Sequence, residues 1–287
     1  GGGRVNNLSN ASAPGNANPF SITYQMAVGA ATLGTNDVVI VDGGGNDLAD
    51  LTGAYLGATT PAGVGAYITM LSTLLPPATV AAIVGATPTA TSLGTAAGAY
   101  AQAVGQTLAA SVKANIVAKG VTKVVVVNAP DITVTPRFIA VLSAVAAAGG
   151  TAQRDALQGA VRAWTGALNS ALATGLAGTG VQVYDFYTEG AKIAATPSQF
   201  GLTNITTPAC PKVAGGLDTT TGQASLSLPA TVAVCNPTYM SANIPVGETS
   251  ANWWQSYGYS DNFHPTPALH KLIAQSINLQ LAKAGWL

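Results

Sequence analysis

An α/β sandwich around a parallel sheet is the fold class the sequence predicts, on three observations. Short β-branched runs alternate with long Ala-rich segments of helical character. One run, "TKVVVVNAP", holds four consecutive valines, the mark of a strand buried on both faces, as strands of parallel sheets are. A glycine cluster stops another run, "DVVIVDGGGND", at its carboxyl end, where parallel sheets place their sites.

The elements follow in chain order. Residues 1–20 lack periodicity and read as loop. Residues 37–42 form a short strand that glycines stop. Residues 67–75 and 91–120 read as helices, the second closed by Gly120. The valine-rich strand occupies residues 122–130. Helix returns over residues 151–176, with Leu157, Val161, Trp164, Leu168 and Leu172 on one stripe. A third strand is expected over residues 181–188, then a short helix over 189–195. Residues 197–250 show little periodicity and read as one long ordered excursion, a length uncommon unless functional. The last helix has Thr266 as N-cap and Pro267 at its first position. Leu269, Leu272, Ile273 and Ile277 form its buried stripe, and Gly285 ends it. The whole chain, residues 1–287, reads as a single domain.

Composition narrows the function. The chain is 48% apolar but only 8% charged, against about 25% charged in average soluble domains. Its formal net charge is zero, so no basic field exists to hold nucleic acid or an anionic membrane surface. No apolar run reaches the roughly 18 to 20 residues of a membrane span. The two cysteines, Cys210 and Cys235, both fall in the 197–250 excursion, amid Pro, Thr, Ser and Gly. Together with the low charge they suggest an exported protein, secreted or held in the periplasm or at the cell surface, with one disulfide. Such a bridge would add roughly 3 to 4 kcal/mol in the chain-entropy account. No signal peptide is visible, so export implies a processed chain or one whose start lies elsewhere.

Two stretches carry chemistry. In "DNFHPT", Asp261 and His264 lie three residues apart just before the last helix, in a chain with only two histidines. A carboxylate bonded to one imidazole nitrogen fixes the tautomer and stabilises the imidazolium, which makes the other nitrogen a general base. The other histidine, His270, sits on the final helix with a surface or supporting role. In "GGGND", Asn46 follows glycines at a strand end, where its amide can donate to a developing oxyanion and the glycines allow close approach. A tight turn closed by an Asx hydrogen bond would give the same pattern. Asp47 reads as structural, capping the helix or turn that follows. Two histidines and scattered acids offer no metal-ligand cluster, and no metal or cofactor is expected.

Taken in order, these stretches resemble the GDSL-type lipases/esterases of the SGNH hydrolase superfamily. "GGGRVN" at residues 1–6 is similar to the family's second block. "VVIVDGGGNDL" is similar to its third, with Gly44, Gly45, Asn46 and Asp47 on the Gly-x-Asn-Asp pattern. "VVVVNAPDITVTPRF" is similar to the fourth-strand segment, and "DNFHPT" with "ALHKLIA" to the fifth block, Asp-x-x-His-Pro. "ATPSQFGLTNITTPAC" resembles the stretch before the first cysteine in bacterial members. The resemblance implies a three-layer α/β/α fold of flavodoxin-like type. It implies His264 as catalytic base, Asp261 as the group orienting it, and Asn46 and the backbone N–H of Gly2, or of its neighbours Gly1 and Gly3, as oxyanion donors. A small-molecule or lipid ester would be the substrate.

One block has no counterpart. The family's Gly-Asp-Ser-Leu segment, which carries the nucleophile, should precede "GGGRVN", and no Gly-Asp-Ser occurs in residues 1–287. In a sheet ordered 2-1-3-4-5, this chain would supply strands three to five, leaving strand three as an open apolar edge. The serine is therefore expected from an N-terminal fragment of the same protein, cleaved yet bound, or otherwise outside this sequence; an inactive remnant is the remaining option. Two other functions fit the residues: a non-catalytic binding or surface passenger domain, which an exposed cluster at Trp253 and Trp254 would favour, and an esterase acting on acetylated sugar or polyester.

Overall fold

The structure is a computed structural model and describes residues 3–6, 21–210 and 236–287. The chain forms two compact units, Gly1–Asp131 with Gly159–Tyr187 and Ile132–Gln158 with Thr188–Leu287.

The first unit contains a parallel sheet of three strands, β1 (Val38–Asp42), β2 (Lys123–Val127) and β3 (Gln182–Tyr184), in the order β1-β2-β3. In register, Val39 pairs with Val124, Ile40 with Val125 and Val126 with Val183. Val124 to Val127 are all buried, as four consecutive valines in a parallel strand require. β1 differs. Among the described residues it pairs only with β2. Ile40 is 50% exposed and Val38 38%, although Val125, the register partner of Ile40, is fully buried.

Around this sheet run α1 (Ile22–Gly29), α2 (Gly45–Gly57), α3 (Pro61–Leu71), α4 (Pro77–Val84) and α5 (Ala90–Asn115). α1, α2 and α4 each pack on α5, whose buried face is largely alanine: Ala96, Ala97, Ala101 and Ala109. Small residues let backbones close in. A Cβ on Gly105 would stand 2.2 Å from the carbonyl oxygen of Leu168, on α7 (Thr151–Leu176). The α7 stripe of Leu157, Val161, Trp164, Leu168 and Leu172 is buried throughout.

Two boundaries differ from expectation. α5 ends at Asn115 rather than at residue 120: Ile116 leaves helical dihedrals and is buried, and a 3-10 turn, Val117–Lys119, leads to Gly120 at φ +85°. β3 stops at Tyr184, and α8 (Phe186–Ala195) starts at once where strand was expected. The cause is Asn128, just past β2. Its Nδ2 donates to Asp185 at 2.9 Å, and its Oδ1 accepts the N–H of Tyr187 at 2.9 Å. A side chain from a neighbouring strand thus satisfies an orphan donor of the first helical turn and overrides the β propensity of "FYT".

The second unit holds α6 (Pro136–Gly149), the rest of α8, α9 (Pro237–Ala242) and α10 (Pro267–Lys283). One cluster is Ala209, Met240, Trp253, Trp254 and Tyr257; another is Ile193, Leu202 and Leu269. Both tryptophans are buried, with their indole N–H groups donating to the Met240 carbonyl and the Ser241 hydroxyl, each at 3.0 Å. They form core, not an exposed binding face. α10 begins at the N-cap Thr266 with Pro267 first. Leu269, Ile277 and Leu281 are buried, while Leu272 and Ile273 pack partly exposed against the Leu269 cluster. Of the 197–250 excursion, the described parts carry the 3-10 turn Pro197–Phe200 and α9. Among the described residues no helix is long and apolar enough to cross a membrane.

Candidate active site

The Asp261–His264 loop of the second unit is tied at both ends. Tyr259 and Pro265 form an antiparallel bridge. The Ser260 N–H and hydroxyl both donate to the carbonyl of His264, at 2.9 and 3.0 Å. The Asn262 carbonyl accepts the N–H of Arg137 at 2.7 Å. Thr266 closes the loop: its hydroxyl donates to the Tyr257 carbonyl at 2.5 Å and accepts from the Leu269 N–H at 3.3 Å. From outside, Cys210 donates its N–H to the Ser260 carbonyl at 2.8 Å.

Within this frame, Asp261 uses both carboxylate oxygens. Oδ1 accepts the N–H groups of Phe263 and His264, at 2.7 and 2.6 Å, so the carboxylate is locked against its own turn. Oδ2 lies 2.7 Å from His264 Nδ1. With the carboxylate as acceptor, Nδ1 carries the proton and Nε2 holds the lone pair. Burial alone would push the Asp261 carboxyl up. The hydrogen bond from His264, its charge and the two backbone donors outweigh that and hold the carboxyl below its ordinary range. The Phe263 ring meets the imidazole edge to face, with centroids 5.5 Å apart, and packs on Phe138. Nε2 is buried and, among the described residues, has no hydrogen-bond partner. A buried polar atom left unpaired costs about 1 to 3 kcal/mol, so its retention points to a function.

The first unit holds the stretch with Asn46. Gly44, at φ +105°, is the N-cap of α2, and a Cβ there would come within 3.2 Å of Leu168. Only glycine lets the chain turn from β1 into α2 so tightly. Asn46 follows in the first helical turn, and its Nδ2 lies 3.4 Å from the Gly3 carbonyl oxygen. Asp47 does not cap α2. Its carboxylate reaches across to the segment 3–6, accepting the N–H of Val5 at 3.0 Å and of Asn6 at 2.8 Å. One turn further along α2, Asp50 pairs with the Arg4 guanidinium, with Nη2 to Oδ1 at 3.0 Å.

The other expected site residues divide. His270 is exposed on α10. Cys210 is buried; Cys235 and Gly2 lie outside the described residues, so the bridge and the Gly2 donor stay expectations. Asn46 belongs to the first unit, Asp261 and His264 to the second.

Over residues 30–277 the chain matches the GDSL-like Lipase/Acylhydrolase family. The chain belongs to that family. No curated protein matches it. Its general chemistry is therefore that of an ester hydrolase, and the α/β fold with a parallel sheet is the one the resemblance implied.

Within this GDSL-like member, several contributors escaped sequence reasoning. Ser260 and Phe263 give no sign in sequence of the bonds and ring contact they make. The links from Asp47 and Asp50 to residues 4–6 did leave a signal: two carboxylates one turn apart at the start of α2, and an arginine in "GGGRVN", stand out where charge is scarce.

Proposed function

We propose that this protein is a serine esterase or lipase that works through an acyl-enzyme, with the nucleophilic serine supplied by an N-terminal segment outside residues 1–287. One observation carries the proposal: a buried, unpartnered His264 Nε2 on an imidazole whose Nδ1 is held by Asp261.

In this mechanism the serine hydroxyl gives its proton to His264 Nε2 as its oxygen bonds to the ester carbonyl carbon. The carbonyl π pair moves to oxygen, and the Asn46 amide, the Gly2 N–H and the serine N–H stabilise the oxyanion. Asp261, held acidic, stays ionised and stabilises the imidazolium. Collapse breaks the carbon–alkoxide bond, and the imidazolium protonates the leaving alcohol. Water, deprotonated by the same nitrogen, then hydrolyses the acyl-enzyme. The β1 edge is the place for the missing segment to pair as a strand, supported by the exposure of Val38 and Ile40 beside fully buried Val125.

We further propose that the protein is exported and that Cys210 bridges Cys235, consistent with the scarcity of charge and with Cys210 being no free thiol. That bridge would brace the His264 loop, since Cys210 is bonded to Ser260.

A fluorophosphonate probe tests the function. The intact preparation should be labelled on a peptide absent from residues 1–287, and His264→Ala should abolish labelling. No labelling of the intact preparation would end the esterase proposal.

A further inference from the structure

Asp47 is fully buried, and the mechanism above gives it no part. Its two oxygens serve one segment, accepting the N–H groups of Val5 and Asn6. That segment is anchored twice more on the same side. Arg4 pairs with Asp50. The Asn6 amide donates to the Tyr100 hydroxyl at 2.8 Å and to the Thr73 hydroxyl at 2.7 Å. The segment in turn presents the Gly3 carbonyl to Asn46 Nδ2. Asp47 is the next residue after Asn46, so two consecutive side chains of α2 reach the segment 3–6, one at the Gly3 carbonyl and the other at the N–H groups of Val5 and Asn6.

We infer that Asp47 is a positioning residue: by clamping the turn at residues 3–6 to the start of α2, it sets the orientation of the Asn46 amide, which donates to the Gly3 carbonyl. The inference rests on the esterase proposal and deepens it.

The chemistry of the clamp explains its composition. A neutral amide at position 47 offers one acceptor oxygen where the carboxylate offers two, so one of the two N–H groups would face an NH₂. Yet a carboxylate is costly there. Burial pushes its pKa up to about 6, against the pull of the two backbone donors. The desolvation cost is accepted where two backbone N–H groups must be held at once, which a carboxylate does and an amide of the same shape does not.

The test is Asp47→Asn in the intact preparation, with the serine-bearing segment present. For a p-nitrophenyl ester, kcat should fall about 10- to 100-fold with KM little changed, since misplaced oxyanion donors act on the transition state. The melting temperature at neutral pH should stay close to wild type, and amides of α5 should keep their hydrogen-exchange protection while at least one of Val5 and Asn6 loses its own. A kcat within about twofold of wild type, or protection retained at both Val5 and Asn6, overturns the inference while His264→Ala still reports on the esterase proposal separately. Wild-type turnover that survives His264→Ala sinks that proposal and the clamp's catalytic purpose with it. Should Asp47→Asn not fold, Tyr100→Phe reads the same turn from its other anchor: a fall in kcat at constant KM supports the clamp, and an unchanged kcat overturns it.

Discussion

An imidazole held by a carboxylate on one nitrogen and unpartnered on the other is poised to move a proton, and among the described residues His264 is in that state. Its value to the reaction can be separated from its value to the fold. His264→Ala should cut ester turnover by on the order of 10⁴-fold or more while leaving the melting temperature close to wild type; His270→Ala, on the exposed side of α10, should leave turnover unchanged. Equal losses in the two variants, measured as kcat/KM, would remove His264 from the mechanism. Asp47 supports a prediction about pH. Its carboxyl rises from an ordinary 3.8 to about 6 on folding, mainly through burial, with Asp50 adding to the rise and Arg4 opposing it. A raised pKa means that the folded state binds the proton more tightly. The stabilisation is whole below about pH 4 and is lost as pH climbs through about 6, a span of about 3 kcal/mol. Asp47→Asn does not titrate. The stability of the variant relative to wild type should therefore increase between about pH 4 and pH 7, followed by urea denaturation. A gap independent of pH would show that Asp47 ionises as readily in the fold as in the unfolded chain.

At the scale of elements, caps and stripes were legible because they are local. Thr266, Pro267 and the apolar spacing of α10 sit within a few residues of one another, and the structure caps the helix as expected and buries Leu269 and Ile277, with Leu272 and Ile273 half-buried. Thr266 does more than cap, since it also holds the Tyr257 carbonyl. Thr266→Val keeps the shape and removes both bonds. The expected cost is about 2 kcal/mol, read as a lower urea midpoint at an unchanged m-value; a midpoint within error of wild type would mean that the hydroxyl's bonds are not needed. The start of α8 was not legible, because the Asn128 side chain that starts it comes from about sixty residues upstream. Asp47 misled for the same reason. An acid in a helix's first turn is a local sign of capping, whereas its partners, Val5 and Asn6, lie on a segment that the sequence leaves without pattern. Asp261, His264 and Asn46 stood out by residue type and position, and the family pattern gave them their expected roles. Spacing alone could not show that Asp261 also binds two backbone N–H groups.

Across the whole molecule, scarcity of charge has a consequence at the sheet edge. A strand at an edge presents unpaired N–H and C=O groups, and proteins guard such edges with lysine, proline or a bulge. β1, "VVIVD", has none of these before Asp42. Its outer pleat exposes Val38 and Ile40, and the chain's net charge of zero supplies no repulsion between copies. If the serine-bearing segment proposed above were only a tail on a finished fold, this edge would be expected to carry guards. Residues 1–287 expressed without any further segment should therefore self-associate, with an average mass in light scattering that rises with concentration. Ile40→Lys places a charge on the exposed pleat, away from the face that carries half-buried Val39 and buried Val41. It should restore the monomer without lowering the melting temperature. A wild-type chain that stays monomeric at high concentration would mean that β1 is already protected, and the case for a strand added there would lose its physical basis.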